Sequence, residues 1–186
     1  MIKRIVYTRH DGGVTVCCPS ERAVAWLGCG GFWNHHPRGF ADIQIERMIS
    51  RGVGPYAAQR YAKAMTVGGC TTAEALEIIR DRDCAHLGTA IELLDVDELP
   101  SDRWFRNAWR RSHNGGPINT DLKLARPIQF RHIRTAVNDE NKKRAADLER
   151  FDQAIEVDFG TIRHSIMKAR DEAELRHVWP SELIAF

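Results

Sequence analysis

The segment from Asp102 to His113 combines the residue types that most often bind another macromolecule. It contains four arginines and three aromatic residues within a short stretch. Arginine and tryptophan dominate the energetic centres of protein–protein interfaces, so this composition predicts a partner-binding patch. The candidate partner-binding residues are Arg103, Trp104, Arg106, Trp109, Arg110 and Arg111.

Two other interpretations of the same segment remain open. Guanidinium groups neutralise phosphates and aromatic faces stack on unpaired bases, so residues 103–113 could bind nucleic acid instead. Alternatively, Phe105 and Trp109, four residues apart, pack in the core while the arginines pair with nearby carboxylates. Residue types alone do not separate the three interpretations.

The cysteines and histidines offer ligands for a metal, but their spacing is not that of a known site. Structural zinc is usually held by two ligand pairs such as Cys-x-x-Cys, which this chain lacks. Cys70 precedes a helix, where its thiolate would be favoured, but no histidine is placed by spacing as its base. The sequence therefore predicts no catalytic residue, no metal ligand and no cofactor. It favours a protein that is not an enzyme. After protein binding and nucleic-acid binding, the third possible function is that of an unassigned enzyme or a zinc-binding protein.

The composition is that of an ordinary globular protein. Of 186 residues, 43% are hydrophobic, and 27 basic residues face 25 acidic ones, for a net charge of +2. This balance argues against a protein that binds nucleic acid or membranes through its overall charge. No run of 18 apolar residues predicts a membrane span, and the first residues read as a strand rather than a signal peptide. With no export signal, the five cysteines are expected to stay reduced in a cytoplasm.

The amino-terminal part predicts a hairpin followed by helices. Ile5–Tyr7 and Val14–Val16 are β-rich runs around a glycine-containing loop. Residues 40–84 carry three helical patterns, the last opened by a capping box at Thr71–Glu74. We expect this stretch to be a helical insertion subdomain. Three consecutive helices could also form a DNA-binding helix-turn-helix, but the acidic residues of the third helix would repel the phosphates of DNA.

The remainder predicts one more strand and a helical end. Residues 90–96 read as a strand, and residues 121–150 as a long amphipathic helix that Pro127 should kink or begin. Residues 159–179 predict one or two further helices. The expected fold is α+β, a small antiparallel sheet covered by helices, in a single domain spanning residues 1–186.

Several segments resemble a family of small uncharacterised proteins of tailed-phage and prophage genomes. The most specific is the string Asp-Arg-x-Phe-Arg-Asn-Ala-Trp at 102–109, and the hairpin around 3–14 and the segments at 174–175 and 178–180 are also similar. Residues 20–70 have no counterpart in the short family members, and Pro127 departs from the family pattern. The family has no established activity, so the resemblance implies a phage-related origin and no catalytic residues.

Together these observations predict a non-enzymatic interaction protein encoded by a phage or prophage. It would be a virion or tail-assembly component, or a host-directed accessory factor, acting through contact with a phage or host protein. Nucleic acid is the alternative partner, and no membrane is expected. The expected location is the cytoplasm of a bacterial host or the virion itself, and the sequence leaves the oligomeric state open.

Overall fold

The computed structural model describes residues 3–146 and 153–184, and it confirms the α+β class. The strands in the described residues are β1 (Arg4–Thr8), β2 (Val14–Cys17), β3 (Thr89–Leu94), β4 (Trp109–Ser112) and β5 (Gly115–Thr120). The helices are α1 (Glu21–Cys29), α2 (Phe40–Ser50), α3 (Pro55–Val67), α4 (Thr72–Asp83), α5 (Leu122–Ala146), α6 (Phe159–Lys168) and α7 (Glu172–His177). Single 3₁₀ turns occur at 96–98, 106–108 and 181–183.

Contacts within the chain divide it into two compact units. Unit 1 comprises Met1–Ser101 and Arg110–Ile118, and unit 2 comprises Asp102–Trp109 and Asn119–Phe186. The expectation of a single domain over residues 1–186 stays a prediction.

Unit 1 is built on a three-stranded antiparallel sheet in the order β2-β1-β3. The predicted hairpin is confirmed: Val6 pairs with Val16 of β2, and on its other side with Glu92 of β3. The connecting loop is stabilised locally, because the Asp11 carboxylate accepts a hydrogen bond of 2.8 Å from the backbone N–H of Gly13. β1 is therefore the central strand of the sheet, paired with β2 on one side and with β3 on the other.

Helices α2, α3 and α4 occupy the stretch where the sequence predicted three helices. Pro55 begins α3, a position at which its missing N–H costs no helical bond. Thr71 and Glu74 form the predicted capping box at the start of α4. The apolar faces of α1, α3 and α4 share one core with the sheet, whose largest members include Ile5, Tyr7, Leu27, Met65, Leu76, Ile78 and Ile79.

Unit 2 is organised around α5. Its buried residues Ala125, Gln129, Ile133 and Val137 recur every four positions, which puts them on one face. Pro127 lies in the second turn, so it does not begin the helix; its ring removes one backbone hydrogen bond there. The helix was predicted over 121–150, and residues 147–150 lie outside the described residues.

Helices α6 and α7 complete unit 2 and confirm the helical end predicted for residues 159–179. Asp158 caps α6 by accepting hydrogen bonds from Gly160 and Thr161, and Asp171 caps α7 in the same way. The hydrogen bonds of Asp158 lower the pKa of its carboxyl group. These helices pack on α5 around a core that includes Phe105, Ile133, Ile162, Ile166 and Leu175.

Candidate functional site

The structure separates the six residues that the sequence grouped into a partner-binding patch. Arg103 and Arg106 are exposed, and Trp104 and Arg110 are half-buried. Trp109 is only 1% exposed and Arg111 only 5%. Trp109 and Arg111 therefore cannot present their side chains to a partner, and this corrects their place in the patch. The burial of Phe105 and Trp109 is what the core-packing interpretation predicted.

Arg111 is held by groups within unit 1. Its guanidinium donates hydrogen bonds to the carbonyl oxygens of Gly116 at 2.9 Å and Ala90 at 3.2 Å. A second terminal nitrogen of the same group forms an ion pair with Glu92 of β3. With its donors used inside the fold, Arg111 links β3 to the β4–β5 segment instead of binding a partner.

Trp104 has a comparable internal role in unit 2. Its indole N–H donates to the side-chain oxygen of Gln129 at 2.7 Å, and its backbone N–H donates to Asp102 at 2.8 Å. The guanidinium of Arg176 lies 5.3 Å from the centre of the Trp104 ring and forms an ion pair with Asp102. Trp104 is therefore an internal anchor, and only Arg103 and Arg106 of the predicted patch project freely from unit 2.

The cysteines and histidines are not gathered at one centre. Among residues 3–146 and 153–184, no group of three or more histidine, cysteine, aspartate or glutamate side chains could hold a metal ion. Cys17 and Cys84 contact one another beside the core of unit 1. Burial, with the neighbouring Cys17, raises the pKa of the Cys84 thiol to about 12. Such a thiol is a poor nucleophile at neutral pH.

A groove that the sequence analysis did not anticipate runs along α5 of unit 2. It consists of two adjoining hollows, of about 340 Å³ and 300 Å³, which share Pro127 and Phe130. Five basic side chains line the two hollows: Lys123, Arg126, Arg131, Arg134 and Arg163. Among residues 3–146 and 153–184, no carboxylate lines either one. We call this feature the basic groove.

The floor of the basic groove is apolar. Pro127 and Phe130 of α5 face Ile166 and Met167 of α6, and Met167 is 63% exposed. Methionine is flexible and polarizable, so this exposed side chain can adapt its shape to apolar groups of a partner. The groove therefore pairs an adaptable apolar floor with a cationic rim.

Among the described residues, few neutralise the rim charges of the basic groove. In the described part of the chain, Lys123, Arg131 and Arg134 form no ion pair and no side-chain hydrogen bond. Arg126 donates to the carbonyl oxygen of Ala169 at 3.1 Å, which neutralises no charge. Burial and the nearby charge of Arg131 lower the pKa of His132, so this neighbour is neutral at pH 7.

The groove has a signal in the sequence. Residues 122–138 contain four lysines and arginines and no aspartate or glutamate. Lys123, Pro127, Phe130, Arg131 and Arg134 recur at helical spacings of three or four, so they share a face that differs from the buried one. An absence of acidic residues across nearly five helical turns, read together with this spacing, would have identified the face.

The chain matches no protein-family model, no curated protein and no solved structure. Among the helices of the described residues, none is both long enough and apolar enough to cross a membrane.

Proposed function

We propose that this chain is a non-enzymatic interaction protein that binds an acidic, amphipathic segment of a partner protein in the basic groove. The observation that carries the proposal is the lining of that groove, where the described residues supply five basic side chains, an apolar floor and no carboxylate. Opposite charges on the partner would satisfy the rim, and apolar residues of the partner would cover Met167 and Pro127. The proposed binding site is thus on α5 and α6, whereas the sequence predicted it in the 103–111 segment.

A protein partner fits the groove better than nucleic acid does. Proteins that bind single strands present exposed aromatic faces on which bases stack. Of the residues that the structure describes, Phe130 is the one aromatic side chain lining the groove, and the guanidinium of Arg163 lies over its ring at 4.8 Å. The edge-on ring of Phe159, at 5.8 Å, occupies another side of Phe130. Its ring is therefore committed within unit 2, and the floor suits aliphatic side chains.

The resemblance to tailed-phage and prophage proteins supports a phage or host protein as the source of the partner. In that setting the chain would act in the cytoplasm of a bacterial host, as a tail-assembly or host-directed factor, or be carried in the virion. Mass spectrometry of purified particles separates these roles. Stoichiometric amounts in the particle would support a structural component, and absence would support an accessory factor.

The binding chemistry is tested by fluorescence anisotropy with two labelled probes of equal net negative charge. One is a designed peptide with acidic residues on one helical face and leucines on the other; the second is a single-stranded oligonucleotide. We expect the peptide to bind at least about tenfold more tightly than the oligonucleotide at physiological salt. We also expect the peptide to retain part of its affinity as salt is raised, because its apolar contacts are not screened.

Two results would contradict the proposal. Tighter binding of the oligonucleotide, with an affinity that collapses as salt is raised, would indicate a nucleic-acid site. Equal binding of a peptide in which the leucines are replaced by serines would show that charge alone attracts the probe and that the apolar floor has no role.

A further inference from the structure

Unit 1 contains a cleft that is separate from the basic groove and from the predicted patch. Its volume is about 430 Å³, within the range of roughly 300–1,000 Å³ that is typical of small-molecule sites. Side chains from α2, from the α2–α3 turn, from α3 and from the end of α4 converge on it. We call it the aromatic cleft and define it by Trp33, Gln44, Arg51, Tyr61, Arg82 and His86.

The walls of the aromatic cleft are fixed by ring contacts. Trp33 meets Tyr61 edge-on, with ring centroids 5.8 Å apart, and meets Phe40 in the same way at 5.5 Å. The guanidinium of Arg82 lies over the Tyr61 ring at 4.0 Å. Arg82 is itself fixed by two hydrogen bonds of 2.6 Å to the Asp83 carboxylate. The aromatic surface is thus preorganised, which reduces the entropy lost when a ligand binds.

The polar side chains of the aromatic cleft offer more hydrogen-bond donors than acceptors. Within the described residues, the side chains of Gln44, Arg51 and His86 form no hydrogen bond or ion pair, and neither does the indole N–H of Trp33. The indole and guanidinium groups are donors only, and the amide and imidazole each supply at least one donor. Asp83, the one carboxylate that the described residues contribute to the cleft, already uses both oxygens on Arg82. The free groups therefore present an excess of donors.

The turn between α2 and α3 brings two of these donors together. Gly52 has a φ of +92°, a conformation that glycine adopts without strain, and Arg51 directly precedes it. The imidazole of His86 packs on this turn: a Cβ atom built on Gly52 would lie 3.5 Å from His86 Cδ2. Arg51 and His86 consequently flank the same end of the cleft, where an anionic group would meet both.

We propose that the aromatic cleft binds a small molecule that combines a flat ring with one anionic group. The ring would lie against Trp33, and the phosphate or carboxylate would accept hydrogen bonds from Arg51 and His86. This site is independent of the groove in unit 2. Nucleoside monophosphates and aromatic carboxylates share the required chemistry.

The test uses AMP as the ring-bearing phosphate and 4-hydroxybenzoate as the ring-bearing carboxylate. Adenosine and inorganic phosphate supply the ring or the anion alone. Binding is followed through the ¹⁵N-indole resonance of Trp33, which is assigned by its loss in Trp33→Phe. We expect at least one ring-bearing anion to shift this resonance and to bind about tenfold or more tighter than adenosine or phosphate.

Two variants test the assignment of the anion-binding end. Arg51→Ala removes an exposed guanidinium, so the fold should be kept while affinity falls by about tenfold to a hundredfold. Arg38→Ala removes another exposed arginine of unit 1 and should leave the affinity unchanged. The proposal is overturned if neither ring-bearing anion shifts the Trp33 resonance at about 10 mM, a concentration well above weak millimolar binding. It is equally overturned if both variants bind like the unaltered protein.

Discussion

Trp104 and Gln129 form a partly buried hydrogen bond, in which the indole N–H donates to the side-chain oxygen at 2.7 Å. Gln129 is fully buried, and its amide nitrogen donates in turn to the carbonyl oxygen of Val178 at 2.8 Å. One amide thereby joins the 102–109 segment, α5 and the chain that follows α7. This explains why a polar residue is tolerated on the core-facing side of α5, since both of its functional groups are paired.

Replacing Gln129 with alanine should destabilise unit 2. The substitution leaves the partly buried Trp104 indole N–H and Val178 carbonyl oxygen without their partner, at a cost of about 1–3 kcal/mol. Urea unfolding followed by tryptophan fluorescence measures this loss. Gln59→Ala, at an exposed helical position in α3, is the control and should change stability by less than about 0.5 kcal/mol. Equal effects of the two substitutions would show that the buried bonds contribute nothing.

The ion pair of Arg111 and Glu92 should respond unequally to removal of its two members. The Arg111 side chain is 1% exposed, whereas that of Glu92 is 44% exposed. Glu92→Ala leaves a buried guanidinium without its counter-charge, and we expect a loss of about 2 kcal/mol. Arg111→Met fills the same space with apolar atoms while Glu92 remains hydrated, so its cost should be smaller.

Urea unfolding of Glu92→Ala, of Arg111→Met and of the double variant measures this asymmetry. A greater loss for Arg111→Met would mean that the hydrogen bonds to Ala90 and Gly116, rather than the buried charge, dominate the contribution of Arg111. In neither case should peptide binding in the basic groove change, because Arg111 lies in unit 1 and is not a contact residue in this account.

The cysteines should separate into two classes toward alkylating reagents. Cys18 and Cys29 are exposed, whereas Cys84 is buried and its pKa is raised to about 12. Because only the thiolate reacts, at pH 8 about one Cys84 in ten thousand is reactive even before burial slows access. Mass spectrometry after iodoacetamide treatment should find Cys18 and Cys29 modified and Cys84 intact until urea unfolds the protein. Rapid modification of Cys84 in the folded protein would contradict its placement.

The raised pKa of Cys84 also fixes the sign of a pH effect. Above the ordinary thiol pKa, the unfolded chain loses this proton while the folded chain keeps it, so the folded state binds more protons. Stability should therefore fall as pH rises between about 9 and 12. Cys84→Ala should lower stability overall by creating a cavity, but it should remove this part of the pH dependence. An identical slope in both proteins would contradict the assignment.

Local features of the fold could be predicted from sequence because neighbouring residues determine them. The hairpin around Asp11–Gly13 and the capping box of Thr71 and Glu74 depend only on residues a few positions apart. The α+β class followed from the order of such patterns. The pairing of β4 with β5 was not predicted, since β4 contains two of the arginines that suggested a binding patch.

The site could not be predicted in the same way, because burial depends on the whole fold. Arginine is a residue type that is common at interfaces, and only the bonds of Arg111 to Gly116 and Glu92 show that this one is internal. The basic groove needs α6 beside α5 to supply Arg163 and Met167, which lie more than twenty residues from the nearest part of α5 that they face. The charge pattern of residues 122–138 identifies the basic side chains that α5 supplies to the groove, but not those that α6 supplies.

The most direct test of the account compares two charge reversals in unit 2 by their effect on binding of the acidic amphipathic peptide. Arg131→Glu with Arg134→Glu alters the basic groove, and Arg103→Glu with Arg106→Glu makes the same change in charge at exposed arginines of the 102–109 segment. Circular dichroism verifies that both variants fold. We expect the groove variant to lose at least about tenfold in affinity and the other to lose less than about threefold. The reverse order would return the binding site to the 103–111 segment and contradict the account.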